Sequence, residues 1–333
     1  MDPFTHLLLA YLITFGIFGP SGLQYVVAGA LAGALPDADV IFFPLSRWVP
    51  LLRHRGISHS ILGVTVIAAL GTWLVPLAIG HFFGPGFAAG APGYYFLAME
   101  AGGLSHILLD ALDHWSVPVF APFSQVEYHF DADRIVNVGA MTFTVVSYGL
   151  MLYERGRVPL WFWEVTAWTL LALAATYFAV RLTGRWRAGR VARRDGYTDL
   201  VPQANPFIFL LVHEELTPER AEVRFAPYHL LRGYLKEPRT LSVSKGSPGP
   251  LPVRDASEAL ERSYGPALEQ AWALGETHHF GEVVASGTEY EVFWYSLEFS
   301  FFGRSAGAVA WVDAATGKVR TRSVWRAPPR PFW

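Results

Sequence analysis

The chain has 333 residues, of which 52% are hydrophobic and 16% charged, and its formal net charge at pH 7 is -2. This charged fraction lies below the roughly 25% of soluble globular domains, and the near-neutral balance argues against a general nucleic-acid binder. The chain contains no cysteine, which excludes disulfides, thiolate nucleophiles and thiolate metal ligands. Any metal site must therefore use histidine, carboxylate and water.

Apolar segments dominate the chain before residue 183. They cover residues 7–19, 22–35, 60–80, 93–112, 135–153 and 159–180. A perpendicular helix needs about 20 residues to cross the ~30 Å hydrocarbon core, so the two short first segments predict tilted, half-buried or re-entrant helices. The sequence predicts an all-α integral membrane bundle of about six apolar helices in residues 1–183.

The pattern changes at about residue 195. Alternating apolar stretches such as TEYEVFWYSLEFSFF read as strands, and the last two form a predicted hairpin around Thr316-Gly317. Residues 255–274 begin like a capped helix, with a possible break at Gly265-Pro266. We expect a small α+β soluble domain over residues 195–333.

The densest cluster of basic residues predicts the orientation in the membrane. RWRAGRVARR, residues 185–194, follows the last apolar segment directly. Under the positive-inside rule this cluster is cytoplasmic. Counting back through the segments puts the N-terminus and the 46–59 and 113–134 loops on the same side. We therefore expect a plasma (inner) membrane protein with a cytoplasmic C-terminal domain.

Polar residues gather beside four of the apolar segments. Such residues are costly in a membrane and mark functional sites. They stand at the start of the first segment, in LPDAD after the second, in HRGISHS before the third and in LSHILLDALDH at the end of the fourth. The predicted topology brings all four to one cytoplasmic end. The residues are His6, Asp37, Asp39, His54, His59, His106, Asp110, Asp113 and His114.

Spacing distinguishes these residues. His106 and Asp110 are four apart, so on a helix they share a face and can hold one ion together. His54 and His59 are five apart and do not share a regular helix face. Histidine and aspartate suit zinc, with manganese or iron(II) as alternatives. Two or three such groups hold one ion, and five or more leave room for two.

Capping and interhelical hydrogen bonds are the ordinary alternative to metal binding. Ser58 or Ser60 is a candidate cap for the helix that follows HRGISHS. A lone histidine such as His81 is better explained as a surface or packing residue. Several polar residues converging on one end of the bundle favour a metal site.

The four stretches THLLL, ALPDAD, HRGISHS and GGLSHILLDAL…VPVFAPFS, in this order and spacing, resemble the YdjM-type family of membrane-bound metal-dependent hydrolases. The resemblance covers roughly residues 1–180 and implies a helical membrane domain with a metal-hydrolase centre. It also suggests a distant likeness to zinc-dependent phospholipase C and its nuclease relatives. The implied metal ligands are His6, Asp37, His59, His106 and Asp110. Asp113 and His114 depart from the family pattern and are second-tier ligands, so the number of ions stays at one or two.

The expected activity is hydrolysis at the cytoplasmic membrane surface of a lipid or lipid-linked phosphoester, with metal-bound hydroxide as nucleophile. Arg55 or Arg53 is expected to hold the phosphate. Asp39 is expected to act as a base or to orient a ligand histidine, and His54 to contact substrate or support a ligand. The predicted catalytic residues are thus Asp39, His54 and Arg55.

Two other functional classes remain open at this stage. The first is a membrane scaffold or stress-response protein with a structural metal site, which a closed four-ligand shell without water would support. The second is a metal-handling transporter, which predicts polar residues spread along a path through the bilayer. The gathering of polar residues at one end of the segments argues against transport.

Overall fold

The structure is a computed structural model. It describes residues 3–42, 55–113, 116–133, 138–154, 157–203, 205–217, 220–244, 253–270, 279–301 and 304–326. The chain divides into two compact units, Met1–Thr183 and Gly184–Trp333. The first unit carries the predicted site residues.

The first unit is helical. Its helices are α1 (Pro3–Phe18), α2 (Leu23–Ala32), α3 (Ile61–Phe83), α4 (Pro85–Ala88), α5 (Pro92–Ala111), α6 (Val138–Glu154) and α7 (Leu160–Arg194), whose last turns belong to the second unit. Short 3-10 helices cover Pro20–Gly22, between α1 and α2, and Pro36–Phe42 and Ile57–His59, between α2 and α3.

Among the described helices, α3 and α7 are long and apolar enough to cross a membrane. The pair Pro3–Phe18 and Pro20–Ala32 makes a third candidate span, bent by 112°, if the two helices are taken together. The bend falls at Gly19, which has a φ of 64°, and Pro20. The described residues thus contain two or three candidate spans, and the predicted number of about six apolar helices is not confirmed.

Ser60 fixes the start of α3. Its hydroxyl accepts a hydrogen bond from the Gly63 N–H at 3.0 Å and donates to the Ile57 carbonyl at 2.7 Å. A capping hydroxyl satisfies one of the N–H groups that the first turn leaves unpaired. Of the two candidate caps, Ser60 is thus the one that acts, and Ser58 is left for another contact.

Small residues let α2 and α5 approach closely. A Cβ added to Gly102 would lie 2.0 Å from the Gly29 carbonyl oxygen, and one added to Gly29 would lie 2.8 Å from the Ala98 carbonyl oxygen. Glycine at a helix crossing allows backbone contact that a side chain would prevent. This contact sets the end of α2, and the Pro36–Phe42 turn after it, against the C-terminal half of α5.

The segment after α5 folds back on that helix. The Phe130 N–H donates to the Ala111 carbonyl at 2.7 Å. Asp133 at the end of the segment pairs with Arg181 of α7 at 3.1 Å and accepts a hydrogen bond from the Tyr177 hydroxyl at 3.0 Å. The segment is thereby fastened to both α5 and α7.

The second unit is rich in β-sheet. Its strands are β1 (Asp199–Pro202), β2 (Ile208–Leu216), β3 (Arg220–His229), β4 (Gly233–Tyr234), β5 (Arg239–Ser244), β6 (His279–Ser286), β7 (Glu289–Phe301), β8 (Arg304–Asp313) and β9 (Val319–Arg326). One antiparallel sheet has the order β1-β2-β3-β4 with β5 also paired to β3, and the other has the order β6-β7-β8-β9. The helix α8 (Ala256–Gln270) packs on the second sheet.

Two local predictions in this unit have opposite outcomes. The hairpin around Thr316-Gly317 is confirmed, because β8 and β9 pair antiparallel and Gly317 has a φ of 63° in the turn. The possible break at Gly265-Pro266 is wrong, because α8 continues through both residues. Its buried face, which includes Ala259 and Ala267, packs into the core and outweighs the missing proline N–H.

Candidate metal centre

Four side chains from three parts of the helical unit meet in one place. Asp37 comes from the 3-10 helix after α2, His59 ends the 3-10 helix before α3, and His106 and Asp110 lie one turn apart on α5. One donor atom from each lies within 4.8 Å of the other three. We call these four residues the four-donor cluster. The predicted convergence of distant stretches holds for all four.

The distances within the four-donor cluster suit a cation. His59 Nε2 lies 3.4 Å from Asp37 Oδ1 and 3.4 Å from Asp110 Oδ2. His106 Nε2 lies 3.7 Å and 3.5 Å from the same two oxygens. Zinc bonds of roughly 2.1 Å in a tetrahedron separate neighbouring ligand atoms by roughly 3.4 Å. These four separations are therefore close to what one ion would require, and all four donor atoms lie within 4.8 Å of one another.

The ring of His106 is held with one nitrogen towards the cluster. Its Nδ1 lies 2.8 Å from the Gly33 carbonyl oxygen, which can only accept, so Nδ1 carries the proton. Its Nε2 is then unprotonated, so it can accept a hydrogen bond or bind a metal ion. This atom is buried and has no hydrogen-bond partner among the described residues. A buried acceptor without a donor is costly, and a bound cation would satisfy it.

His59 is oriented by a hydroxyl and a carboxylate on its far side. Its Nδ1 lies 3.1 Å from Ser58 Oγ and 3.3 Å from Asp39 Oδ2, and the Ser58 hydroxyl donates to Asp39 at 2.5 Å. This arrangement directs Nε2 into the cluster, as carboxylates behind metal-binding histidines commonly do. Burial disfavours the imidazolium, yet the hydrogen bonds to Asp37 and Asp39 raise the pKa of His59, so the site favours positive charge.

His6 lies beside the four-donor cluster without belonging to it. Its ring stacks on His106 with centroids 3.9 Å apart and an interplanar angle of 23°. Its Nε2 lies 3.3 Å from Asp110 Oδ1, the oxygen that faces away from His59. A role for His6 as a metal ligand stays a prediction.

Arg55 and Asp113 extend the site on the same side as His6. Arg55 Nη2 donates to Asp110 Oδ1 at 3.0 Å and to Asp113 Oδ2 at 3.1 Å. The side chains of Asp110 and Asp113 are 1% and 0% exposed, and that of Arg55 is 9% exposed. The predicted phosphate contact of Arg55 stays a prediction, and the structure places its guanidinium on two buried carboxylates.

Exposure differs across the four-donor cluster. The side chain of Asp37 is 15% exposed, whereas His59 and His106 are fully buried and Asp110 is 1% exposed. Asp37 is therefore the member of the cluster most accessible to solvent. Three predicted residues, His54, Arg53 and His114, lie outside the described residues.

Several contacts at the site were not foreseen in the sequence. The Gly33 carbonyl is a backbone group, so the residue type at this position does not predict its contact with His106. Ser58 was considered only as a cap. Away from the four-donor cluster, the stretch HFDAD, residues 129–133, places a histidine and two aspartates in the loop after α5. Charged residues beside an apolar segment are a sequence signal for these contacts. Asp131 of this stretch is buried and lies 2.7 Å from His129 Nδ1.

A helical membrane unit with a buried histidine and aspartate cluster that can hold a cation defines the class of the protein. The model of the YdjM inner membrane protein family matches residues 1–188, and the chain belongs to this family. No curated protein and no solved structure matches the chain. The likeness to zinc-dependent phospholipase C stays a prediction.

Proposed function

We propose that this protein is a membrane-embedded metal-dependent hydrolase acting on a lipid or lipid-linked phosphoester. The observation that carries the proposal is the four-donor cluster, in which His106 Nε2 is buried without a hydrogen-bond partner and aimed at two carboxylates. The donor set contains only nitrogen and oxygen, which suits zinc and leaves manganese and iron(II) as alternatives.

Each residue at the centre has a task in such a reaction. A divalent cation held by the cluster would supply water with a pKa lowered towards about 7 and would polarise a phosphoryl oxygen. The Gly33 carbonyl holds His106 in the tautomer that offers Nε2. Asp39 and Ser58 hold the His59 ring in place. Asp37, the most exposed member of the cluster, faces the side from which substrate and water enter.

The position of the cluster is the physical reason for favouring a lipid. His59 directly precedes α3, a candidate span, so the cluster lies at one end of a helix long enough to cross the bilayer. A site at the membrane boundary lets the acyl tail of a substrate stay in lipid while its head group reaches the donors. The basic cluster at residues 185–194 favours the cytoplasmic face for this boundary.

A structural metal site is the second candidate, and the number of donors favours it. Four protein ligands complete a tetrahedral zinc shell, as in structural sites, whereas catalytic sites leave a position for water. Under this alternative the protein is a scaffold and its second unit binds a partner. Transport has less support, because α3 contains no acidic or basic residue other than His81 near its far end.

The test uses the full chain purified in detergent. Bound metal is measured by mass spectrometry, and phosphomonoester and phosphodiester lipids are assayed with wild type, His106→Ala and His81→Ala. We expect His106→Ala to lose both metal and hydrolysis, while His81→Ala, at an exposed position in α3, retains both. Metal binding without hydrolysis across the lipid panel would favour the structural site, and full metal retention in His106→Ala would refute the centre itself.

A further inference from the structure

The two oxygens of Asp110 face different groups. Oδ2 faces the Nε2 atoms of His59 and His106 at 3.4 and 3.5 Å. Oδ1 faces His6 Nε2 at 3.3 Å and Arg55 Nη2 at 3.0 Å. A carboxylate used on both sides in this way is the usual bridge between two neighbouring cations. Its second side therefore needs an explanation.

The second side has the donors of a cation site, and a guanidinium nitrogen lies among them. Asp110 Oδ1, Asp113 Oδ2 and His6 Nε2 are buried oxygen and nitrogen atoms of the kind that hold a transition metal. A single atom, Arg55 Nη2, contacts both carboxylate oxygens, at 3.0 and 3.1 Å. It bridges them as an ion would.

We propose that Arg55 takes the place of a second metal ion, so that the centre binds one divalent cation per chain. The proposal rests on the metal centre of the proposed function but not on hydrolysis. A second ion would have to take the position of the guanidinium, because Arg55 Nη2 already lies 3.0 Å and 3.1 Å from the two oxygens that the ion would bind. Arg55 is thus a positioning residue that holds Asp110 and Asp113 and sets the number of ions.

The backbone at Arg55 is consistent with a side chain that is required. Its φ is 58°, in the left-handed region that costs a residue with a Cβ about 1 kcal/mol or more. Such a conformation persists where surrounding contacts compensate for it. Two charge-assisted hydrogen bonds to buried carboxylates are contacts of this strength. Glycine would relieve the strain but would leave Asp110 Oδ1 and Asp113 without their cation.

The test measures metal stoichiometry rather than activity. The full chain in detergent is stripped with a chelator, reloaded with zinc or manganese, and its metal content is determined per chain by mass spectrometry. We expect one ion in wild type and in Arg55→Lys, since lysine keeps a positive charge at the bridge. We expect two ions in Arg55→Ala, and a return to one in Arg55→Ala/Asp113→Asn, which removes a donor of the second site.

Each outcome has a defined meaning. Two ions in wild type, or only one ion in folded Arg55→Ala, would overturn the proposal. Should Arg55→Ala fail to fold by size-exclusion chromatography, the wild-type and Arg55→Lys stoichiometries decide, and two ions in either would overturn it. One ion in wild type without lipid hydrolysis would refute the hydrolase and leave the role of Arg55 intact, whereas no ion in wild type would refute both.

Discussion

Two ion pairs, one from each unit of the molecule, differ in their exposure to water. In the helical unit, Arg181 and Asp133 are 3.1 Å apart and both side chains are fully buried. In the sheet-rich unit, Arg320 and Glu289 are 2.6 Å apart, with side chains 61% and 30% exposed. The shorter pair is the weaker one, because water screens exposed charges while a buried charge depends on its partner. Burial, rather than distance, decides which charges matter here.

The largest expected effect comes from breaking the buried pair. Arg181→Met leaves Asp133 without its guanidinium in the interior and is expected to lower the free energy of unfolding by about 3–5 kcal/mol. The matched change Arg320→Met in the exposed pair is expected to cost less than about 1 kcal/mol. Unfolding of the full chain in detergent measures both. Equal losses would contradict the comparison, and Arg181→Met/Asp133→Asn should recover part of the loss.

An effect of intermediate size, on metal affinity, is expected at Asp39, which contacts the His59 ring on the side away from the cluster. Asp39→Asn keeps all members of the four-donor cluster but weakens the support of the His59 ring. Changes to such supporting partners cost roughly 10–100-fold in metal affinity. The matched control is Asp313→Asn, a carboxylate that caps a turn between β8 and β9 in the other unit. Competition with a chromophoric chelator gives both affinities, and equal affinities for Asp39→Asn and wild type would contradict the assigned role.

The smallest effect is expected at Glu258 near the start of α8. The Arg254 N–H donates to its carboxylate at 3.0 Å and the Arg262 guanidinium at 2.8 Å, and together they lower the pKa of Glu258 from 4.5 to about 2. A lowered pKa stabilises the folded state above pH 4.5, and this stabilisation is lost as the pH falls towards about 2.

Glu258→Gln should therefore lower the thermal midpoint of the second unit slightly at pH 7. The difference from wild type should shrink as the pH falls below 4.5, the ordinary pKa of this group. Thermal unfolding across pH 2–7 provides the measurement, with Glu261→Gln on the same helix as the control. A difference that does not change with pH would show that the carboxylate charge has no part in it.

Side-chain spacing made much of the four-donor cluster predictable. The four-residue interval between His106 and Asp110 requires only that α5 be helical, and α5 is apolar enough to predict that. Asp37 and His59 follow from polar residues at the ends of apolar segments. The contact between Gly29 and Gly102, which brings α2 to α5, depends on how two helices cross, and one sequence does not contain that angle.

Some features of the site and of the fold could not be predicted from the residue types. The Gly33 carbonyl is the clearest case, since every residue has a carbonyl. The sequence predicts that Arg55 holds phosphate, because the planar guanidinium binds phosphate well. The same N–H groups also bind carboxylates. Only the fold shows that Asp110 and Asp113 lie within reach of Arg55. The number of spans was equally hidden, because apolar length does not reveal the bend between α1 and α2.

We expect the four-donor cluster of Asp37, His59, His106 and Asp110 to bind a divalent cation. X-ray diffraction from the full chain, recorded at the absorption edge of the bound metal, tests this expectation most directly. We expect an anomalous peak between these four side chains, with bonds of about 2.0–2.2 Å. A peak at any other place in the molecule, or none in protein loaded with zinc and manganese in turn, would contradict this expectation.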